Sequence, residues 1–349
     1  MDRRYAFART DTSRIVLGRG VEAQLPGLLR ELGARDVVVV HDETMTPLGA
    51  RIASTLATAK TLPVPAGEAL KDLRHLGDAA LRLRELGADR DVTLLGLGGG
   101  SVTDFTGFLA SIWLRGVRFV ACPTTTLAMC DAALGGKNGI DLGGRKNELG
   151  TIRQPDLVAA DVAWLKTLPD ALWREGFVEV AKKAAVLDAD RFARLEQLAP
   201  ALHARDDAAA TEAIVMAVAM KMAVVCADEH EGDRRRWLNF GHTIGHALES
   251  LAAGALRHGE CVAIGMLAEC RAAGDAVPVT VLARLHGLLQ QLGAPTRFPA
   301  AFADAPRLWE LARHDKKVRD GRVPMIVPTS LGHGTPVELT AAALARAIA

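Results

Sequence analysis

Apolar positions in the first half of the chain follow two rhythms. Asp36-Val-Val-Val-Val-His41 is a short, unbroken β-branched run, which predicts a buried strand. Leu94-Leu-Gly-Leu97, running into Gly98-Gly-Gly100, and Val117-Arg-Phe-Val-Ala121, ending at Pro123, predict two more. Amphipathic stretches around Val21 to Leu32 and Thr46 to Ala59 predict helices between strands. Strand alternating with helix implies a parallel sheet covered by helices, and such sheets bind ligands at the carboxyl ends of their strands.

From about Leu165 the texture changes. Ala, Leu, Arg and Glu dominate, and β-branched runs vanish until Val323-Pro-Met-Ile-Val327. Pro169 to Leu187, Asp206 to Asp228 and Gly241 to Ala253 have helical periodicity and composition. The expected architecture is therefore a Rossmann-like α/β domain over residues 1–165, followed by a mainly α-helical domain over 166–349.

Composition narrows the function classes. The 349 residues, 49% apolar and 24% charged, suit an ordinary globular protein of about two domains at roughly 100–200 residues each. Lys and Arg number 42 against 41 Asp and Glu, a balance that argues against a nucleic-acid surface. The five cysteines show no CxxC pairing and read as reduced thiols. The charged start lacks a signal-peptide run, and no uninterrupted apolar run of about 18–20 residues occurs, so a cytoplasmic location with no membrane partner is expected.

Candidate chemistry gathers in three places. Gly98-Gly-Gly-Ser-Val-Thr-Asp104 joins a strand to a helix, where glycines let a backbone approach a pyrophosphate and free N–H groups favour negative charge. The spacing is not GxGxxG, and a tight ligand-free turn has the same look. Asp42 at a strand end, Glu68 and Lys71 in Gly67-Glu-Ala-Leu-Lys71, and Thr124 and Thr125 after a later strand add polar groups suited to a dinucleotide.

His242 and His246 stand four apart in Asn239-Phe-Gly-His-Thr-Ile-Gly-His246, on one helical face. With His258 and Glu179 they form a candidate set for a catalytic metal with three protein ligands, and spacing alone does not say which three. The third feature is cationic: Arg115, Lys137, Lys146 beside Asn147, Lys182, Lys221, Arg235, Lys316 and Lys317 lie beside glycine or asparagine or in apolar surroundings. Converging cations with little net charge suit a small phosphorylated or carboxylated substrate.

Taken in order, Gly98-Gly-Gly with Asp104, Arg115-Gly-Val-Arg-Phe, Pro123-Thr-Thr, Asp131 followed by Gly135-Gly-Lys137, Lys146-Asn147, Glu179-Val-Ala-Lys182, Glu231 with Arg235, and Asn239 to His246 make a pattern. It resembles the dehydroquinate synthases and the wider sugar-phosphate cyclases over nearly the whole chain. The resemblance implies zinc or cobalt on Glu179, His242 and His258, with His246 facing substrate. It implies NAD near Asp104, Gly98, Gly99, Gly100, Glu68, Lys71, Thr124 and Thr125. It assigns the substrate pocket to Asp131, Lys137, Lys146, Asn147, Lys182, Lys221, Glu231, Arg235, Asn239, His246 and one of Lys316 or Lys317. Arg115 matches an arginine that reaches a neighbouring subunit, so a homodimer is implied.

The implied reaction is phosphate elimination and ring closure of 3-deoxy-D-arabino-heptulosonate 7-phosphate through transient oxidation by NAD. The sequence departs from the family pattern at Ala132, Ala133, Asn138, Asp141 and Arg145, next to the expected phosphate contacts. Arg235, Asn239 and His246 keep the identities associated with a carboxylate-bearing substrate. The competing readings are cyclization of an amino analogue or of sedoheptulose 7-phosphate, and a metal-dependent polyol dehydrogenase.

Overall fold

The computed structural model describes residues 1–6, 12–143, 145–232, 234–315 and 322–349. They pack as two compact units, Met1–Pro169 and Asp170–Ala349.

In the first unit the strands are β1 (Asp2–Ala6), β2 (Thr12–Gly18), β3 (Asp36–Asp42), β4 (Ala59–Val64), β5 (Val92–Gly98), β6 (Arg118–Pro123), the pair β7 (Lys137–Leu142) and β8 (Arg145–Ile152), and β9 (Leu157–Asp161). The helices are α1 (Val21–Glu31), α2 (Thr46–Ser54), α3 (Leu73–Glu85) and α4 (Gly100–Ile112). Seven strands form one sheet in the order β1-β2-β9-β6-β5-β3-β4, parallel except for the β1–β2 pair at its edge. Val38, Val39 and Val40 on β3 and every residue of β5 are buried, as a strand with helices on both faces requires.

The topology positions the candidate turn. From β3 the chain moves outward to β4; after returning to β5 it moves the opposite way, to β6. The switch between β3 and β5 opens a crevice at their carboxyl ends, where doubly wound sheets bind ligands. His41 pairs with Leu97, so Asp42 and Gly98 end side by side. The α2 stretch ends at Ser54, short of the expected Ala59, because Ala59 already begins β4. The hairpin β7–β8 has no counterpart in the periodicity, since β8 is almost wholly polar and exposed.

The second unit consists of α5 (Asp170–Leu187), α6 (Ala189–His203), α7 (Asp207–Ala227), α8 (His242–Ala252), α9 (His258–Ala272), α10 (Val279–Gln291), α11 (Ala305–Asp315) and α12 (Ala341–Ile348). One hairpin, β10 (Val323–Ser330) with β11 (His333–Leu339), joins them. Among the described residues only α7 is long and apolar enough to cross a bilayer, but 67% of its apolar window is packed inside the unit, as in a core helix. At the heart of this unit α8 and α9 cross with their backbones touching. A Cβ added at Gly265 would land on the Gly241 carbonyl oxygen, and one at Gly245 would come within 3.0 Å of the Cys261 carbonyl.

Candidate active site

In the first unit, Gly98 ends β5 and Gly99 caps α4 with no side-chain hydrogen bond, leaving the first-turn N–H groups of α4 without a side-chain acceptor. The glycines are also required by packing: a Cβ at Gly98 would meet Val102 at 2.7 Å, and one at Gly100 would meet Ala132 at 3.0 Å. Thr124 is buried and donates its N–H to the Gly98 carbonyl at 2.8 Å, while Thr125 lies against Gly99. Asp42 sits beside this turn, but its Oδ1 closes the next turn by accepting from the Thr44 and Met45 N–H groups at 2.9 and 3.1 Å. Glu68 is exposed on the short 3-10 turn Gly67–Lys71.

Lys71, only 5% exposed, ties three segments together. Its Nζ donates to Asp104 Oδ2 on α4 at 2.6 Å and to Asn147 Oδ1 on β8 at 2.8 Å. Asn147 is held in the left-handed region, φ 55°, with its N–H given to Asp141 Oδ1 at 2.8 Å. Burial works against the Lys71 ammonium, but the charges of Asp104 and Glu68 outweigh it and raise its pKa. Asp141 is thus a backbone anchor for Asn147. Asn138 is likewise structural: it is buried and donates its amide to the Gly136 and Arg153 carbonyls, each at 2.9 Å. Lys137 and Lys146 are exposed on the hairpin, Asp131 is half-buried, and Arg115 is exposed after α4 with φ 74°.

In the second unit the donor atoms of Glu179, His242 and His258 all lie within 4.8 Å of one another. They come from α5, α8 and α9, so distant parts of the sequence meet here. Glu179 Oε1 is 3.9 Å from His242 Nε2 and 3.7 Å from His258 Nε2. That oxygen is buried with no hydrogen-bond partner. A buried carboxylate oxygen lacking a donor is costly, and two imidazole nitrogens at such separations suit three ligands around one ion. The residues present therefore fit a divalent metal. His258 Nδ1 lies 3.1 Å from Glu249 Oε2, the outer carboxylate that fixes a metal-binding imidazole. His246 offers a second grouping with Glu249 and His258, but Glu249 is already engaged at His258 Nδ1.

Electrostatics fix the charge state of each ligand. Burial would raise the Glu179 pKa, but Lys182 and Lys183 hold it well below the usual carboxylate range. Burial and then the Lys182 charge hold His242 well below the ordinary imidazole value. For His258, burial opposes the charged form, yet the carboxylates of Glu179 and Glu249 prevail and raise it to about 10. Ion and proton therefore compete at His258. Divalent-metal affinity should rise about tenfold per pH unit from roughly pH 7 towards 10, with one proton released per ion. Calorimetric titration in buffers of differing ionisation enthalpy reads that proton; a pH-independent affinity would separate His258 from the ion. The sign for stability is opposite: in metal-free protein the His258 contribution is complete below its unfolded value near 6.5 and disappears as pH rises through about 10.

Other predicted residues also belong to this unit. Lys182 is 2% exposed with Nζ 2.5 Å from Glu179 Oε2, and Lys221 is buried on α7. Arg235 is buried, donating its N–H to Asp228 Oδ2 at 2.9 Å and its guanidinium to the Glu229 carbonyl. Asn239 donates to Glu231 Oε1 at 2.7 Å. The His246 ring lies 4.7 Å from that of His242 and 5.9 Å from that of His258. Lys316 and Lys317 lie outside the described residues.

Sequence reasoning missed Glu269. Fully buried on α9, it accepts from the Gly241 N–H at 2.7 Å and the Ile244 N–H at 2.9 Å, capping α8 where His242 begins. Its signal was a lone acid inside the apolar run Ala263 to Cys270.

Two family models, described as the N-terminal and C-terminal regions of 3-dehydroquinate synthase, match residues 61–175 and 176–318. The 3-dehydroquinate synthase of Lactiplantibacillus plantarum is 39% identical over 316 residues, covering 88% of this chain and 87% of that protein. Among solved structures, a 2-epi-5-epi-valiolone synthase from Streptomyces hygroscopicus with NAD+ and Zn2+ bound is 27% identical, with a TM-score of 0.85 over 95% of this chain and 94% of that one. A 2-deoxy-scyllo-inosose synthase complexed with carbaglucose-6-phosphate, NAD+ and Co2+ shares the fold, at 23% identity and a TM-score of 0.91 over 100% of this chain and 99% of that one.

Proposed function

The chain belongs to the 3-dehydroquinate synthase family, and from that premise we propose that it converts 3-deoxy-D-arabino-heptulosonate 7-phosphate to 3-dehydroquinate and phosphate. The enzyme is then a carbon–oxygen lyase that uses NAD and a divalent ion, zinc or cobalt. The observation that carries this reading is the unpartnered, buried Glu179 Oε1 facing the Nε2 atoms of His242 and His258. The preference for this substrate rests on 39% identity to a dehydroquinate synthase, against 27% and 23% for cyclases that make valiolone and inosose products.

In this proposal Glu179, His242 and His258 hold the ion, and the β3–β5 crevice, with the α4 start, Asp42, Glu68, Lys71, Asp104, Thr124 and Thr125, takes the dinucleotide. A divalent ion held there would supply Lewis acidity towards the alcohol, and NAD would supply reversible hydride acceptance with no net redox change. Lys137, Asn147 and Arg235 would orient the phosphate, with the forked donors of a guanidinium suited to it. Lys182, Lys221 and Asn239 orient hydroxyls and the carboxylate, and His246 stands beside both ligand imidazoles to face substrate. Asp131, Lys146 and Glu231 complete the lining. Positioning of this kind lowers the entropy cost of elimination and of the closing aldol step.

The same proposal makes the protein a cytoplasmic homodimer. An apolar cleft of roughly 380 Å³ opens beside Leu73, Leu76, Leu109, Ile112 and Trp113, next to the exposed Arg115 that would serve the partner. All five cysteines are free thiols, as a reducing compartment requires.

The test is phosphate release. With 3-deoxy-D-arabino-heptulosonate 7-phosphate and catalytic NAD, phosphate should appear without NADH accumulation, and a chelator should stop it. Stoichiometric NADH from a simple polyol would establish the dehydrogenase instead. Higher kcat/KM on the amino analogue, sedoheptulose 7-phosphate or glucose 6-phosphate in the same panel would reassign the substrate.

A further inference from the structure

The Glu179 carboxylate is paired with two ammonium groups at once. Lys182 Nζ stands 2.5 Å and Lys183 Nζ 3.3 Å from the same oxygen, Oε2, while Oε1 has no hydrogen-bond partner and faces the imidazoles. Both lysines follow from helix geometry, three and four residues after Glu179 on α5. Their environments differ from those of surface pairs: Glu179 and Lys183 are wholly buried and Lys182 is 2% exposed. Lysine is seldom fully buried, because desolvating an ammonium is expensive.

Resting on the metal reading above, we propose that Lys183 is a positioning residue that restricts Glu179 to single-oxygen ligation and weakens the hold on the ion. With Oε2 occupied by two ammonium groups, only Oε1 is presented to a metal. The second ammonium brings a further positive charge to this buried carboxylate, which would lower its attraction for a divalent ion. It also draws electron density from the carboxylate, so the ion keeps more of its Lewis acidity for the substrate. Lys182 alone, the nearer of the two, suffices to hold Oε2.

The experiment uses the full-length protein and Co2+ as probe. Lys183→Met removes the charge while keeping length, and Lys183→Gln removes the charge while keeping a donor. Both should bind Co2+ at least about tenfold more tightly than the parent, by competition with a chelating dye, and both should show a lower kcat at saturating Co2+. X-ray absorption on the Co2+-loaded parent should show one carboxylate oxygen at bonding distance, and this measurement needs no variant to fold. Unchanged or weaker Co2+ binding in both folded variants, or two carboxylate oxygens on the ion in the parent, would overturn the inference while leaving the metal site standing. Failure of the parent to bind Co2+ would remove the metal reading and this inference together.

Discussion

Glu179→Gln should lose its divalent metal and its turnover together. The amide keeps the shape of the side chain but presents a weaker, neutral ligand and removes the carboxylate that Lys182 and Lys183 share. Removing one partner of a buried ion pair costs about 3–5 kcal/mol, a large part of a typical stability of roughly 5–15 kcal/mol. Three readouts are expected: no stoichiometric Zn2+ or Co2+ after dialysis, no phosphate release, and a lower melting temperature. NAD binding, assigned to the other unit, should survive and shows that the rest of the chain is folded. Parent-like Co2+ affinity in a folded Glu179→Gln protein would take this carboxylate out of the metal shell.

Glu269→Ala is expected to be the most damaging change away from the ligands. It strips both acceptors from the buried N–H groups of Gly241 and Ile244. Each buried N–H left unpaired costs about 1–3 kcal/mol, and in a unit of this size each kcal/mol lowers the melting temperature by about 2–4 °C. The loss concentrates at the start of α8, so Co2+ affinity should fall as well, in the range of about 10–100-fold seen for outer residues of metal sites. Glu269→Gln, which retains one acceptor oxygen, should recover part of both. A stability loss with unaltered Co2+ affinity would show that Glu269 supports the fold without positioning His242.

Local pattern revealed the parallel sheet because β3 and β5 are buried on both faces and therefore read as continuous apolar runs. It did not reveal β7–β8: Arg145-Lys-Asn-Glu148 carries no burial signal, and its strand form is set by cross-strand hydrogen bonds and by glycines at 139 and 150 that let the backbones approach. The candidate metal set was partly legible. His242 and His246 share a helical face and announce themselves, but choosing Glu179 and His258 needed the resemblance, because their meeting depends on how α5 and α9 pack against α8. Lys183 and Glu269 were invisible as special residues, since a charged side chain within a helix normally signifies solvent. Asn138 and Asp141 stand next to the expected phosphate contacts in the sequence, and in the structure both hold backbone.

The crossing of α8 and α9 has a consequence for sequence variation. At Gly245 and Gly265 an added methyl group would meet only main-chain atoms of the facing helix or its cap, so no rotamer there could shift to absorb it, and at Gly241 it would meet the Met266 side chain and then the Val262 carbonyl. Neighbouring helices can drift apart over generations through compensating exchanges of large and small residues; this pair lacks that freedom. Its spacing is set by main-chain contact, and the imidazoles of His242 and His258 are mounted on the two helices that contact fixes.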